Sequence, residues 1–214
     1  NSPMHDEARW QEESRTLDME DVGLNSLITL DAEILSLMAQ ELGHTQEAAA
    51  HAQRAQRHKE CIAAHFWDGK REVFANRLWS GKFADAVTPT SFYPLLCGAA
   101  SPAQVKSMLS KLTDAKRFGG KFGLPSAARH HPSFKDNVYW RGRVWPILNW
   151  LVWLGLKRQE AWAAADDVVE RGKLLFDPAW KARTAPENFN ATHGAGLDQP
   201  DTDNFYSWTA LLPH

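Results

Sequence analysis

The sequence predicts an all-α protein built from helical hairpins that are joined alternately by short turns and long polar loops. Over most of the chain, apolar residues recur three and four positions apart, the period of a helix with one buried face. Extended runs with alternating apolar and polar residues are almost absent. In such a protein we expect the long loops to gather at one end of the helices and to form the functional site.

The composition is that of a globular protein with no attraction to polyanions. Of the 214 residues, 43% are hydrophobic, and the net charge is −2. We therefore expect neither nucleic acid nor an anionic membrane as a partner. No stretch reaches the roughly 18 consecutive apolar residues that a membrane-spanning helix needs. Ten tryptophans are many for this length and favour, on composition alone, a protein that handles carbohydrate.

The first part of the chain predicts an irregular lead-in followed by two helices. Residues 1–23 have mixed charge and no sustained period. A helix is predicted from Asn25 to just before Gly43, a residue type suited to the position after a helix. Its periodic apolar residues are Leu27, Leu30, Ile34, Leu37, Met38 and Leu42. A second, alanine-rich helix is predicted over 46–66, with a solvated face of His, Gln, Arg and Lys.

The next segments predict a turn and a further pair of helical units. The pair Asp68-Gly69 is a turn signal that leads into a short extended run over 72–76. A helical unit begins in TPTSFYPLL and is interrupted near Gly98. Ser101 followed by Pro102 predicts the start of a helix that reaches residue 112, because serine caps helices and proline suits their first turn.

Two cysteines lie in segments that we interpret as apolar helices. Cys61 and Cys97 are therefore expected to be buried free thiols rather than a disulfide.

The fifteen residues 139–153 are the most distinctive stretch of the chain. They read YWRGRVWPILNWLVW, in which five residues are Tyr or Trp and the first half adds two arginines and a glycine. Pro146 suits the first turn of a helix, so we predict a loop followed by a core helix to about Lys157. The loop is expected to present Tyr139, Trp140, Arg141 and Trp145.

Aromatic rings beside guanidinium groups suit a sugar, whose C–H faces stack on the rings while its hydroxyls meet fixed donors. Core packing is the alternative interpretation, since large rings dominate protein cores. We favour core packing for Trp150 and Trp153. For Tyr139, Trp140 and Trp145, which precede the helix in a polar loop, both interpretations stay open.

Two long loops and two helices complete the pattern. Residues 118–137 are glycine-rich and lack a helical period, and loops of this length are usually functional. A helix is predicted over 160–176 and is expected to end at Asp177-Pro178. A polar loop over 184–204 then leads to FYSWTALLPH, a short apolar helix.

Three segments, YWRGRVWP, PENFNATHG and NFYSWTALL, resemble in that order the C-terminal catalytic region of glycoside hydrolase family 63. The segments LNSLITLDAEILSLMAQELG, FWDGKREVF, TPTSFYPLLCG and GLPSAARHHPSF also lie in the expected places, and the resemblance covers essentially the whole chain. The family includes α-glucosidases that trim glycans and bacterial relatives that act on mannosylglycerate and glucosylglycerate.

The resemblance implies an (α/α)6 toroid, a ring of helical hairpins with a pocket at one end. A complete ring needs twelve helices, so about seven helices form only its later part. We therefore expect residues 1–214 to be a single domain, the C-terminal portion of a toroid. Its expected partner is the missing N-terminal half, in the same parent chain or in a separate one. A chain that starts with asparagine rather than methionine is typical of a processed product or a fragment.

The resemblance also implies inverting hydrolysis by two carboxylates that lie about 6.5–9.5 Å apart. Glu187, in PENFNATHG, matches the general base. In relatives the general acid is an aspartate in a Gly-x-Asp-Asn-Ser-Pro run, and this chain begins with Asn1-Ser2-Pro3, which places the acid immediately upstream of Asn1. Asp6 is the nearest carboxylate present but does not match that position. Met4-His5 stand where the family usually has an aromatic residue.

Substrate-binding roles are implied for the residues of the aromatic loop. Tyr139, Trp140 and Trp145 match a sugar-binding wall, and Arg141 matches a donor to hydroxyls or to a substrate carboxylate. Further candidates at the rim or the floor of the pocket are Arg129, His131 and Trp208.

No metal site and no cofactor are expected. His130 and His131 are adjacent and have no partner at the spacing of metal ligands.

The sequence leaves two hypotheses of different class. The first is a glycoside hydrolase that acts on a small α-linked glycoside or oligosaccharide, or the later part of one. The second is a non-catalytic carbohydrate-binding or scaffold piece with the same architecture. Sugar epimerisation on a related toroid fits less well, because those enzymes use histidines as proton carriers and no histidine pair here lies in a matching motif.

Overall fold

The computed structural model of the chain describes residues 8–200 and 202–212. Its α-helices are α1 (Val22–Glu41), α2 (Thr45–His65), α3 (Tyr93–Leu96), α4 (Pro102–Thr113), α5 (Pro146–Arg158) and α6 (Trp162–Lys181). Three 3₁₀ turns cover Pro89–Phe92, Pro132–Asp136 and Ser207–Leu211. Most of the described structure is helical, so the predicted all-α class is confirmed.

The strands are two residues long and pair locally. They are β1 (Trp10–Gln11), β2 (Thr16–Leu17), β3 (Met19–Glu20), β4 (Trp67–Asp68), β5 (Val73–Phe74) and β6 (Arg77–Leu78). In the described residues they form three antiparallel pairs, β1 with β2, β3 with β6 and β4 with β5. Part of the lead-in, predicted as irregular, therefore consists of short strands.

The described helices α1, α3 and α5 pack in a row. Helix α1 packs mainly on α2 and also on α3, α3 packs on α5, and α5 packs on α6 and on the last 3₁₀ turn. Helices α2 and α6 therefore lie beside the two ends of this row.

Helix α1 begins at Val22, three residues before the predicted start. The reason is Asp21, whose Oδ1 accepts a hydrogen bond of 2.6 Å from the Leu24 N–H and so caps the first turn. Its buried residues are small or polar, with one valine: Val22, Gly23, Ser26, Thr29, Ala32 and Ala39. Its exposed large apolar residues, with Leu42 at its end, are Leu24, Ile28, Ile34, Leu37, Met38 and Leu42. We call this second set the α1 face.

Helix α1 is also the one helix of the described residues that is long and apolar enough to cross a membrane by length and composition, with a mean hydropathy of 1.4. A core helix satisfies the same criterion. Glu33 lies within it and forms ion pairs with Lys59 of α2 and Arg158 of α5, which ties α1 to the helical assembly.

In the described residues, two hydrophobic clusters form the core. The larger lies among α1 to α6 and includes Val22, Ile62, Phe74, Phe92, Leu95, Met108, Phe118, Leu156 and Val168. Trp153 packs against it, as predicted for a core residue. The smaller lies beneath the loop 184–200 and includes Phe122, Val144, Leu175, Phe189 and Leu212. The smaller cluster therefore supports the loop that contains Glu187.

The prediction that Asp177-Pro178 ends a helix was wrong. Helix α6 continues to Lys181, with Pro178 in its last turn. Proline has no N–H to donate to the carbonyl of Leu174. Leu174 is 46% exposed, so water can satisfy that carbonyl.

The prediction for the cysteines is confirmed for one of the two. Cys97 is buried, whereas Cys61 is exposed on α2, and both are free thiols. The expectation rested on an apolar helical segment around Cys61, but α2 buries only Ala48, Ala55 and Ile62.

Candidate active site

The aromatic loop is folded as a tight hairpin. Val138 and Arg141 exchange two backbone hydrogen bonds of 3.1 and 2.8 Å, which leaves Tyr139 and Trp140 as the two loop residues. Tyr139 has φ 43°, in the left-handed region that normally suits glycine, so the turn is strained at this residue. The indole Nε1 of Trp145 donates to the Tyr139 carbonyl over 3.0 Å and holds the turn in place.

Gly142 explains the glycine of the YWRG motif. Its φ is 95°, and a Cβ at this position would lie 2.4 Å from the carbonyl oxygen of Phe134. No other residue type fits there, because both the backbone angle and the contact exclude a side chain. The preceding Arg141 forms an ion pair of 2.9 Å with Asp136, which fixes the hairpin to the 3₁₀ turn before it.

Five aromatic rings form a continuous assembly that we call the aromatic wall. Trp140 lies flat on Trp145, with ring centroids 3.4 Å apart and an interplanar angle of 11°. Tyr139 meets both indoles edge to face, at 5.7 and 5.0 Å. Trp208 meets Trp145 edge to face at 5.8 Å, and the ring of Tyr206 lies 4.1 Å from that of Trp208.

Exposure divides the wall into an outer and an inner part. Tyr139 is 47% and Trp140 44% exposed, in agreement with a loop that presents them. Trp145 is 0% exposed, so the expectation that the loop also presents this residue was wrong. Trp140 covers one of its faces, and Trp145 is the buried support of the wall.

Glu187 is buried, and both its backbone and its side chain form hydrogen bonds. It is 8% exposed, and its N–H donates to the Asp203 carbonyl over 2.8 Å. Its own carbonyl accepts from the indole Nε1 of Trp208 over 2.8 Å. The side-chain amide of Asn188 donates to Glu187 Oε2 over 3.4 Å. The Glu187 backbone is thus bonded directly to the aromatic wall.

A backbone pair fixes the Glu187 segment against the aromatic loop. Val144 and Phe189 exchange hydrogen bonds of 2.7 and 2.9 Å, although they are far apart in sequence. The structure therefore brings together five predicted site residues: Glu187, Tyr139, Trp140, Trp145 and Trp208.

Arg143 is a part of the site that the sequence analysis did not identify. Its side chain is completely buried. Its Nε donates to Asn188 Oδ1, and its Nη2 donates to Asp198 Oδ1 over 2.7 Å. Asp198 Oδ2 in turn accepts from the amide of Asn190 over 2.9 Å. The partners of Arg143 follow it by 45 and 55 residues, so no local spacing signals this network.

The environment of Asp198 favours its charged form. Burial alone would raise the pKa of this carboxyl, but hydrogen bonds from Arg143 and Asn190 and the positive charge of Arg143 lower the pKa below its ordinary value of 3.8. At neutral pH, Arg143 and Asp198 therefore form a charged pair, which joins the aromatic loop to the loop 184–200.

Arg129 braces loops in the structure. Its Nε donates to the Gly119 carbonyl over 2.7 Å, its Nη2 donates to the Ala191 carbonyl over 3.3 Å, and its guanidinium lies 5.1 Å from the Phe134 ring centroid. Burial, with a smaller effect of the Arg171 charge, lowers its pKa.

His131 has a similar bracing position. Its Nδ1 accepts the Ser133 N–H over 3.3 Å and caps the 3₁₀ turn Pro132–Asp136. Within the described part of the chain, Arg129 and His131 therefore make contacts that order the loops around the site.

The N-terminal segment and the question of a metal site complete the description of the site. Asn1, Asp6 and the rest of residues 1–7, where the segment next to the expected general acid would lie, fall outside the described residues. Within residues 8–200 and 202–212, no group of three His, Cys, Asp or Glu side chains is arranged to hold a metal ion.

The comparisons with known proteins agree with these motifs. Residues 2–209 match the model of the mannosylglycerate hydrolase MGH1-like glycoside hydrolase domain. The chain is 28% identical over 212 residues to a mannosylglycerate hydrolase of Rubrobacter radiotolerans, a match that covers 97% of this chain and 46% of that protein. It is 33% identical over 129 residues to a glucosylglycerate hydrolase of Mycolicibacterium hassiacum, covering 58% of this chain and 27% of that protein.

The fold has solved counterparts. The family 63 mannosylglycerate hydrolase of Thermus thermophilus, in complex with glucose, superimposes with a TM-score of 0.76 at 23% identity. The superposition covers 91% of this chain and 46% of that one. The chain thus spans less than half the length of these relatives. The resemblance to glycoside hydrolase family 63 is confirmed, and the chain belongs to the family of mannosylglycerate hydrolase MGH1-like glycoside hydrolase domains.

Proposed function

We propose that the protein is a glycoside hydrolase that acts on a small α-linked glucoside or mannoside, or on an oligosaccharide, with inversion of configuration. The observation that carries this proposal is a buried glutamate, Glu187, bonded through its backbone to an aromatic wall in a chain of a glycoside hydrolase family. Relatives named for mannosylglycerate and glucosylglycerate support the substrate class.

Glu187 is the proposed general base. In an inverting mechanism the base removes a proton from a water molecule, which attacks the anomeric carbon on the face opposite the leaving group. The general acid protonates the leaving oxygen at the same time. We assign that role to an aspartate immediately upstream of Asn1, on the match to the Gly-x-Asp-Asn-Ser-Pro run.

The outer part of the aromatic wall is the proposed sugar platform. One face of Trp140 covers Trp145, so a sugar ring stacks on its other, open face, with Tyr139 beside it. Arg141 is the proposed donor to a hydroxyl or a carboxylate, and its ion pair with Asp136 holds it near the hairpin. Trp145 and Trp208 support the platform from behind. Arg129 and His131 are proposed to line the rim of the sugar pocket. Their own contacts order the loops on which they lie.

We also propose that an N-terminal half-ring, in the same parent chain or in a separate one, covers two apolar surfaces that the described residues leave open. The first is the α1 face. The second is a groove of about 930 Å³ near the end of the chain, lined in part by Phe176, Trp180, Phe205 and Tyr206. Exposed surfaces of this kind commonly mark interaction sites.

A sugar-binding or scaffold role of these 214 residues by themselves is the second candidate. It is favoured by one observation, namely that the exposed rings of Tyr139 and Trp140 suit the stacking of a sugar whether or not hydrolysis follows.

The test is Glu187→Gln in the complete gene product, assayed on α-glucosides and α-mannosides that include mannosylglycerate and glucosylglycerate. We expect turnover to fall about 10²- to 10⁴-fold, because glutamine cannot accept the proton, while the melting temperature changes little. NMR of the wild-type reaction should show the β-anomer as the first product.

The matched control is Glu170→Gln on α6, an exposed glutamate that pairs with Lys173. This variant should keep full turnover. Wild-type turnover in Glu187→Gln would refute the assignment of the base, and sugar binding by the wild-type protein without any turnover would favour the second candidate.

A further inference from the structure

Arg143 is a buried charge beside the proposed base, and the proposed mechanism gives it no role. A fully buried guanidinium is costly unless its donors are satisfied. Here Nε and Nη2 are bonded, whereas Nη1 is buried without a hydrogen-bond partner among the described residues. Because buried ion pairs contribute little net stability, stability alone does not explain this residue.

Asn188 lies between Arg143 and Glu187 and can satisfy both in one orientation only. Its carbonyl oxygen accepts from the guanidinium, and its amide nitrogen donates to Glu187 Oε2 over 3.4 Å. With the amide reversed, an N–H would face the guanidinium and an oxygen would face the carboxylate. The guanidinium of Arg143 therefore sets which way Asn188 points.

The opposite side of the guanidinium fixes the far end of the same loop. Arg143 Nη2 bonds Asp198, and Asp198 bonds the amide of Asn190. Asn190 Oδ1 accepts the Thr192 N–H over 2.8 Å and so closes the turn that follows. One side chain thus holds the loop on both sides of the segment 188–190.

We propose that Arg143 is a positioning residue that orients the Glu187 carboxylate through Asn188 and so aligns it with the water molecule to be activated. This inference rests on the proposed function of Glu187. Alignment of a catalytic group to within about 1 Å can decide about two orders of magnitude in rate.

The experiment compares Arg143→Lys, Asn188→Ala and the double variant in the complete gene product. Lysine keeps the charge but cannot donate from two fixed nitrogens at once. We expect each single variant to lower kcat about 10- to 100-fold, with KM changed less than about threefold. We expect the double variant to be no slower than the slower single variant, because both changes break the same link.

Arg71→Lys is the matched control. Arg71 also pairs with an aspartate, Asp68, over 2.6 Å and bonds the Ala84 carbonyl over 2.8 Å, but it lies in the β4–β5 hairpin. Arg71 is more exposed than Arg143, so Arg71→Lys should lower the melting temperature less, and it should leave kcat unchanged.

The outcomes separate the two proposals. An inactive Glu187→Gln together with an Arg143→Lys variant of wild-type kcat overturns the positioning role alone. Losses that multiply in the double variant also overturn it, since they show that Arg143 acts by another route. An active Glu187→Gln instead refutes the base itself. Should Arg143→Lys fail to fold, Asn188→Ala decides, because it keeps the Arg143–Asp198 pair and its kcat must still fall.

Discussion

The indole of Trp140 has two different neighbours, Trp145 on one face and solvent on the other. This residue is the point where the wall changes from core to surface. The sequence predicted that aromatic rings precede a helix, but it could not predict which ring lies on top. That order depends on the left-handed turn at Tyr139 and on the bond from Trp145 Nε1 to its carbonyl, and neither has a local signature.

We predict that Trp140→Ala raises KM about 3- to 10-fold, because the lost stacking of a sugar on an aromatic ring is of the order of one kcal/mol. The effect on kcat should be smaller, since Trp140 stacks on Trp145, whereas Trp208 is the ring that bonds the Glu187 backbone. Steady-state kinetics of the complete gene product provide the measurement.

Trp162→Ala is the control for this prediction, because Trp162 is 55% exposed on α6 and belongs to no part of the wall. Equal changes in KM for the two variants would show that Trp140 is not the sugar platform.

The sequence could not show which of the two arginines of the YWRGR motif lies beside Glu187. Arg141 was singled out and lies at the hairpin, paired with Asp136. Arg143 was passed over, although it is the one that is buried beside Glu187. Arg141 and Arg143 are of the same residue type and lie two positions apart. Only the long-range partners of Arg143, Asn188 and Asp198, distinguish the two.

The Glu33 carboxylate ties helix α1 to its neighbouring helices. Glu33 accepts two hydrogen bonds from Arg158, of 2.8 and 2.7 Å, and lies 3.4 Å from Lys59 Nζ. These contacts join α1 to α5 and to α2. Burial alone would raise the pKa of Glu33, but the bonds and charges of Arg158 and Lys59 lower it below the ordinary value of 4.5.

We therefore predict a pH-dependent effect of Glu33→Gln on stability. A carboxyl whose pKa is lower in the folded state stabilises that state above its unfolded pKa, and this contribution is lost as the pH falls through the folded pKa. The variant should melt below the wild type at pH 7, and the difference should shrink as the pH falls below about 4.5. Thermal unfolding followed by circular dichroism between pH 3 and 7 measures it.

The exposed pair on α6 gives the comparison for this test. Glu170 bonds Lys173 at the surface, so Glu170→Gln should change the melting temperature little at any pH. A constant difference between Glu33→Gln and the wild type across the whole range would contradict the ion-pair explanation.

Local cap signals predicted the starts of α4 and α5, whereas the start of α1 was missed although its cap, Asp21, is also local. Ser101 with Pro102 gave the start of α4, and Pro146 gave the start of α5. The end of α6 was missed because tertiary packing carries the helix through Pro178. A further constraint, invisible in the sequence, is Gly172, where a Cβ would lie 2.3 Å from the Leu212 carbonyl oxygen.

For the whole molecule, the α1 face is the most informative disagreement with simple periodicity. Of the predicted periodic residues, Leu27 and Leu30 pack partly buried against the larger core cluster, but Ile34, Leu37, Met38 and Leu42 are exposed, and the fully buried side of α1 is mostly small or polar. A sequence period identifies a face and does not identify what covers it. The chain spans less than half the length of the relatives it matches, and the proposed N-terminal half-ring covers this face.

We predict that the isolated 214 residues self-associate at micromolar concentrations through these surfaces. Replacing Leu37 and Met38, each 55% exposed, by lysine should reduce the association, because charges replace apolar contact area. Sedimentation velocity over a range of concentrations gives the measurement.

Gln53→Lys, on the exposed side of α2, controls for added charge and should leave the association unchanged. A wild-type chain that is monomeric throughout and unfolds in one cooperative transition would contradict the proposed half-ring.

The backbone pair between Val144 and Phe189 has a consequence for the adaptability of this scaffold. The register between the proposed base and the platform is set by main-chain atoms, which every residue type except proline supplies in the same way. Side chains at Tyr139 and Trp140 can then be exchanged to accommodate other sugars without displacing Glu187. Substrate range and catalytic alignment can evolve, or be redesigned, as separate properties.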